Sequence, residues 1–148
     1  MTEGVQPTSK RGLARRFAVQ ALYQWLVNES GPDALIQEFH DQPEGLGRAD
    51  KEYFAELLRG TVQEAAVLTT TIVPHIDRPL NQLDPVEHAV LLLGTFELVH
   101  KLDVPWRVVV NESVNLAKMF GAEDGYKFVN GVLDKVAHAV RKAEITAG

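Results

Sequence analysis

The chain contains no cysteine. Disulfides and thiolate metal sites are both excluded, which fits a reducing, cytoplasmic setting. No stretch reaches the ~20 apolar residues that a membrane span needs. The most apolar run, Ala89 to Val99, is interrupted by Gly94, Thr95 and Glu97. The N-terminus is basic, but Gln20, Gln24 and Trp25 break the plain apolar core that a secretory signal would require. Net positive charge is lacking too: the balance is −5, which argues against a general nucleic-acid coat. No segment alternates apolar and polar residues as a half-buried strand does. There is no internal repeat, no linker long enough to separate domains, and no Walker, GxGxxG or GxSxG motif.

What is present is material for one helical domain. The 148 residues are 45% hydrophobic, enough to bury ~68–70% of the unfolded surface. The pattern predicts a loose tail over residues 1–9 and a helix over Lys10 to Asn28, with Leu13, Phe17, Ala21 and Trp25 inward. A short helix from Asp33 to His40 follows, then a Pro/Gly loop over Gln42 to Ala49. Asp50 caps a long third helix whose seam is Phe54, Leu58, Val62, Ala65, Leu68, Ile72 and Ile76, kinked or ended by Pro74. In Asp84-Pro85-Val86-Glu87, Asp84 suits an N-cap, Pro85 an N1 position and Glu87 the return arm of a capping box. The helix they open, to about His100, is apolar nearly all round and should be central. Pro105 opens the next helix, which stops at Gly121. Glu123 and Asp124 open the last, lined by Val129, Val132, Leu133, Val136 and Val140. Gly131 lies inside that pattern and reads as a close helix–helix contact. The expected fold is all-α with about six helices.

Charge is segregated along the chain. Met1 to Arg16 carries four bases, Lys10, Arg11, Arg15 and Arg16, against Glu3 alone; Asn28 to Leu58 carries eight acids against Arg48 and Lys51. One basic corner and one acidic flank should result, and such polarity admits a local anionic ligand despite the net sign.

Catalytic chemistry finds little support. Glu97-x-x-His100 has the spacing used in carboxylate di-iron bundles, but those need a second such pair. Asp134 and His138 stand at i, i+4 with no third zinc ligand evident. His40, His75 and His88 are scattered singly. Binding chemistry is better represented. Arg11 and Arg15 share a helix face, and cations in a first turn oppose the helix dipole, so they should serve another purpose, for which phosphate is suited. Phe128 lies off the apolar stripe of its helix with Lys127 beside it. It serves either as edge packing or as a platform for an unstacked base.

Asn111-Glu112-Ser113, Leu116-Ala117, Phe120-Gly121 and Phe128-Val129-Asn130-Gly131-Val132-Leu133-Asp134 together resemble the C-terminal signature of the NusB transcription antitermination family. Ala18-Val19-Gln20-Ala21-Leu22-Tyr23-Gln24-Trp25 resembles its first helix. The likeness spans about Lys10 to Arg141. It implies six to seven helices in two three-helix bundles packed as one compact domain, 10–148, the bundles covering about 10–80 and 84–142. It implies binding to the boxA element of ribosomal RNA leaders through Lys10, Arg11, Arg15, Arg16, Lys127 and Phe128, with Asp124 modulating affinity. It implies NusE, a small-subunit ribosomal protein, as partner through Tyr23 and Glu87. Other Nus factors and RNA polymerase would be engaged indirectly, and the likeness allows a homodimer. No cofactor, metal or catalysis is expected. Two alternatives stand beside this reading. One is the targeting module of a ribosomal RNA methyltransferase, for which no room is expected beyond Gly148. The other is a protein–protein adaptor that never touches RNA.

Overall fold

The computed structural model describes residues 9–147, so the expected tail lies outside the described residues except for Ser9. Among them the structure holds eight α-helices and no strand. These are α1 (Lys10–Asn28), α2 (Pro32–Asp41), α3 (Lys51–Gln63), α4 (Ala65–Ile72), α5 (Pro85–His100), α6 (Trp106–Phe120), α7 (Gly125–Val140) and α8 (Lys142–Ala147).

Local chemistry sets most boundaries. Ser9 caps α1 by accepting from the Gly12 N–H, and Asp50 caps α3 by accepting from the Tyr53 N–H. Glu29 ends α1 in the left-handed conformation. Asp84 accepts from the Val86 N–H at 2.7 Å, but the expected capping box does not close. Glu87 turns instead to the backbone of Ala122.

The long third helix is in fact two. The Glu64 N–H bonds to the carbonyls of both Gly60 and Val62, and the chain bends there. Gly60 weakens that turn and cannot be replaced freely, because a Cβ would overlap Cζ of Phe96. Beyond the bend the threonine run is accommodated by side-chain bonds back to the carbonyls of Ala65 and Val67. Pro74 then falls in a short 3₁₀ turn, Val73–His75.

α5 is the axle. Every residue from Ala89 to Leu98 is buried, as the all-round apolar pattern requires. α1, α3 and α4 pack on one side of it, α6 and α7 on the other. α1 runs antiparallel to α5, with Arg15 beside Glu97 and Tyr23 beside Val86. Gly94 gives α6 and α7 their approach: a Cβ there would stand 2.8 Å from Ser113 Oγ and 2.9 Å from Leu133 Cδ1. Phe17, Phe39 and Phe54 form an edge-packed cluster beneath α1.

Gly131 does not make the close contact expected of it. It is exposed, and nothing lies within 4 Å of where its Cβ would be. A helix-interior glycine costs about 1 kcal/mol relative to alanine, and here no packing offsets that cost.

Candidate functional site

The residues singled out from the sequence fall at two ends of α5. Lys10 and Arg11 stand at its C-terminal end, Lys127 and Phe128 at its N-terminal end, about 20 Å apart along the axis at 1.5 Å per residue.

At the first end, the basic corner is largely committed to the fold. Lys10 is exposed beside Arg48 and Lys51, with Asp50 and Glu52 in the same shallow depression. Arg11 bonds Asp103 at 3.1 Å, and its guanidinium lies 4.1 Å above the Tyr53 ring. Arg16 is half-buried, 5.9 Å from the Phe17 ring centroid. Arg15 corrects the expectation outright. It is 5% exposed and bonds both carboxylate oxygens of Glu97, at 2.8 and 3.0 Å, with Glu112 at 3.3 Å. The Tyr53 hydroxyl donates to the same carboxylate. Burial opposes the Arg15 charge, but the hydrogen bond and charge of Glu97 outweigh it, and the guanidinium pKa stays above its usual value. Burial, reinforced by Glu97, pushes the Tyr53 phenol up. Arg15 therefore joins α1, α3, α5 and α6. Arg11 and Arg15, two of the cations near the start of α1, meet tertiary carboxylates.

The second end is built on the turn between α6 and α7. Asp124 is left-handed, φ 69°, so the helix starts after the two acids rather than on them. Its carboxylate stands 3.4 Å from Lys127 Nζ, both groups open to water. Phe128 is half-buried, packed on the core along one edge. Its ring faces Arg78, whose guanidinium carbon is 5.3 Å from the ring centroid. Between them lies a groove of about 580 Å³ lined by Pro74, His75, Arg78, Lys127, Phe128, Gly131 and Lys135. Of the two readings of Phe128, edge packing and platform, the structure is compatible with both at once.

Glu87 is largely buried, 8% exposed in the free chain. It accepts a bond from the Ala122 backbone, and its carboxylate fills the space beside Gly125, where a Cβ would collide with Oε2. Burial, then the nearby Asp84 charge, raises its pKa. Its work is to hold the turn that carries Asp124, Lys127 and Phe128. Tyr23, by contrast, is 40% exposed. It borders an apolar groove of about 340 Å³ with Val19, Val86 and Phe120.

Neither metal spacing gathers further ligands. His100 lies 3.6 Å from Glu64, and His138 pairs with Asp134 at 3.7 Å. Among the described residues no group of three His, Cys, Asp or Glu could hold a metal. Among them, too, no helix is long and apolar enough to cross a membrane.

The NusB family model matches residues 13–138. The chain belongs to the NusB family. The transcription antitermination protein NusB of Ralstonia nicotianae is 50% identical over 141 residues, covering 95% of this chain and 90% of that protein. That of Bordetella pertussis is 50% identical over 142 residues, covering 94% and 92%. A crystal structure of antitermination factors NusB and NusE in complex with dsRNA is similar at TM-score 0.80 and 28% identity, over 88% of this chain and 97% of that one. Thermotoga maritima NusB follows at TM-score 0.76 and 29% identity, over 88% and 91%. The family is one of transcription antitermination factors, not of enzymes.

Two site features of this NusB-family chain were not anticipated. Arg78 opposite Phe128 carries no local signal, because the turn around it is irregular. Glu97 did carry one: an acid inside a helix buried all round demands a buried cation.

Proposed function

We propose that this protein is an RNA-binding antitermination factor that works in the cytoplasm with NusE. Together they hold the boxA element of ribosomal RNA leaders as a single strand and support transcription of that RNA by RNA polymerase. The observation that carries the RNA half is the start of α7. An aromatic ring and a lysine stand side by side there, at the rim of an open groove, on a molecule whose net charge is −5. Stacking needs bases free of a duplex, and it contributes ~1–3 kcal/mol per base. The membership of the family and the solved NusB–NusE complex with RNA support the partner half. The apolar groove beside Tyr23 offers NusE a docking surface, and the acidic flank would attract a basic ribosomal protein.

The test is titration of labelled single-stranded boxA RNA, a scrambled strand and a duplex, each with and without NusE. The single-stranded boxA should bind most tightly, and more tightly with NusE. With Arg15 removed from the contact set, Lys10, Arg11, Arg16 and Lys127 remain. Neutralising about four phosphates through these residues gives a slope of at least about −3 in log K against log salt, steeper by about 0.7 for each further phosphate contact. A flat salt response, or equal binding of the scrambled strand, overturns the reading. An adaptor that never touches RNA would bind NusE and none of the three RNAs.

Asp124→Asn is expected to raise affinity. The substitution releases Lys127 from an exposed pair worth ~0.2–1 kcal/mol, so up to about fivefold tighter binding should follow, with the salt slope steepened. Asparagine tolerates the left-handed backbone, so thermal stability should hold. Unchanged affinity would place Lys127 away from the RNA.

A further inference from the structure

Gly131 poses a problem that the fold does not answer. It sits mid-helix, where glycine weakens the structure, yet nothing lies within 4 Å of where its Cβ would be. What it does is keep a floor open. Phe128, Gly131 and Lys135 recur at i, i+3 and i+7, so they share one face of α7 over about 10 Å. That face is one wall of the groove; the Pro74–Arg78 turn is the other. Phe128 closes one end and Lys135 the other, with the glycine between them.

The charge of the groove is unusual for this molecule. Lys135 has no carboxylate partner among the described residues. Arg78 bonds Asp77 at 3.0 Å, but both are exposed and such pairs are weak. Lys127 forms an ion pair with Asp124, and His75 stands on the opposite wall, in the turn with Arg78. Asp77 is the sole acid in the lining. At the other end of α5, each cation near Lys10 and Arg11 has an acid beside it.

We propose that this groove holds one nucleotide of single-stranded RNA, its base stacked on Phe128 over Gly131 and its flanking phosphates on Arg78 and Lys135. The assignment rests on the RNA-binding reading above and extends it along α7, away from the basic corner of α1. The ring supplies a face for any base. The arginine fork supplies paired donors for phosphate and can itself stack on a base. The missing side chain at 131 supplies the thickness a base needs. Arg78 occupies that face of the ring in the free protein, and a base entering would slide between them or displace the guanidinium outward.

Gly131→Leu, Lys135→Gln and Arg78→Gln test the groove, with Phe128→Ala for the stacking ring and Lys142→Gln as a control on α8. Affinity for fluorescein-labelled single-stranded boxA RNA is read by anisotropy on the full chain, and melting by calorimetry. Gly131→Leu is the decisive variant because nothing stands in its way and the helix gains a better former. It should melt no lower than wild type while binding at least about fivefold more weakly, a loss in the range of one base stack. Its salt slope should be unchanged. Lys135→Gln and Arg78→Gln should each weaken binding and lower the slope by about 0.7, the share of one phosphate. Lys142→Gln should do neither. Phe128→Ala weakened while Gly131→Leu, Lys135→Gln and Arg78→Gln bind as wild type would overturn the groove and leave the RNA reading in place. All variants including Phe128→Ala binding as wild type would overturn both.

Discussion

Arg15→Ala is expected to lower folding stability by about 3–5 kcal/mol, the cost of leaving a buried carboxylate without its cation. Glu97 is 1% exposed and would keep only the Tyr53 hydroxyl as a close donor. Because domains of this size are stable by ~5–15 kcal/mol, urea denaturation should show a large fall in midpoint with little change in slope. The loss should be strongly non-additive with Glu97→Ala, because the second substitution removes the charge that the first stranded. Replacing the set with apolar residues of similar volume, Arg15→Met with Glu97→Leu and Tyr53→Phe, should recover most of it. RNA binding separates this account from the one the sequence suggested. At a temperature where Arg15→Ala remains folded, its salt slope for boxA RNA should equal that of wild type. A variant that melts normally but loses one phosphate from the slope would return Arg15 to the surface.

The pattern of the sequence located the helices better than it located their contacts. α1 and α5 match their expected spans because each begins at an identifiable cap and ends at a clear stop. Burial of α5 follows from its lack of a polar face. The break at Glu64 was hidden because apolar spacing continues across it; the bonding of the Glu64 N–H to Gly60 and Val62 reveals it. The start of α7 was misplaced because acids suit a helix N-terminus in general, whereas Asp124 takes the left-handed conformation. Three residues share one cause. The phosphate role of Arg15, the capping-box role of Glu87 and the helix contact of Gly131 each came from residue type and local spacing, and periodicity reports which side of a helix a residue is on but not what meets it there. Arg15 meets Glu97, Glu87 meets the α6–α7 turn, and Gly131 meets nothing. The family likeness was legible because it depends on residue identities in combination, not on their environments.

Arg141→Ala is expected to have an effect comparable to that of Arg15→Ala, by a different route. The last turn of a helix leaves carbonyls without helical partners, and here one side chain gathers carbonyls from the end of α5 and from the loop after it. Arg141 is buried and donates to the carbonyls of Leu98 at 2.6 Å, Val104 at 3.0 Å, Glu97 at 3.2 Å and Lys101 at 3.0 Å. A cation at a helix C-terminus is favoured by the dipole as well. The same guanidinium pairs with Glu144, which accepts from the Trp106 N–H at the start of α6. Closure of the α5–α6 connection therefore depends on α8, although α8 itself buries no residue. A hydrogen bond to a charged group contributes ~1.5–3 kcal/mol; with some of the carbonyls regaining water, about 3–5 kcal/mol should be lost. Arg141→Lys should recover little, since an ammonium cannot reach four acceptors in the plane of a fork. Hydrogen exchange locates the damage: the Lys101 and Val104 amides should exchange faster, while those at the start of α7, about 20 Å along the helix, should not. Arg141→Lys as stable as wild type would show that the fork is not needed. Fast exchange confined to α8 would show that the loop stands without it. Asp103 rides on this loop and holds Arg11, so the variant should also free that arginine at the basic corner, leaving RNA contacts at α7 untouched.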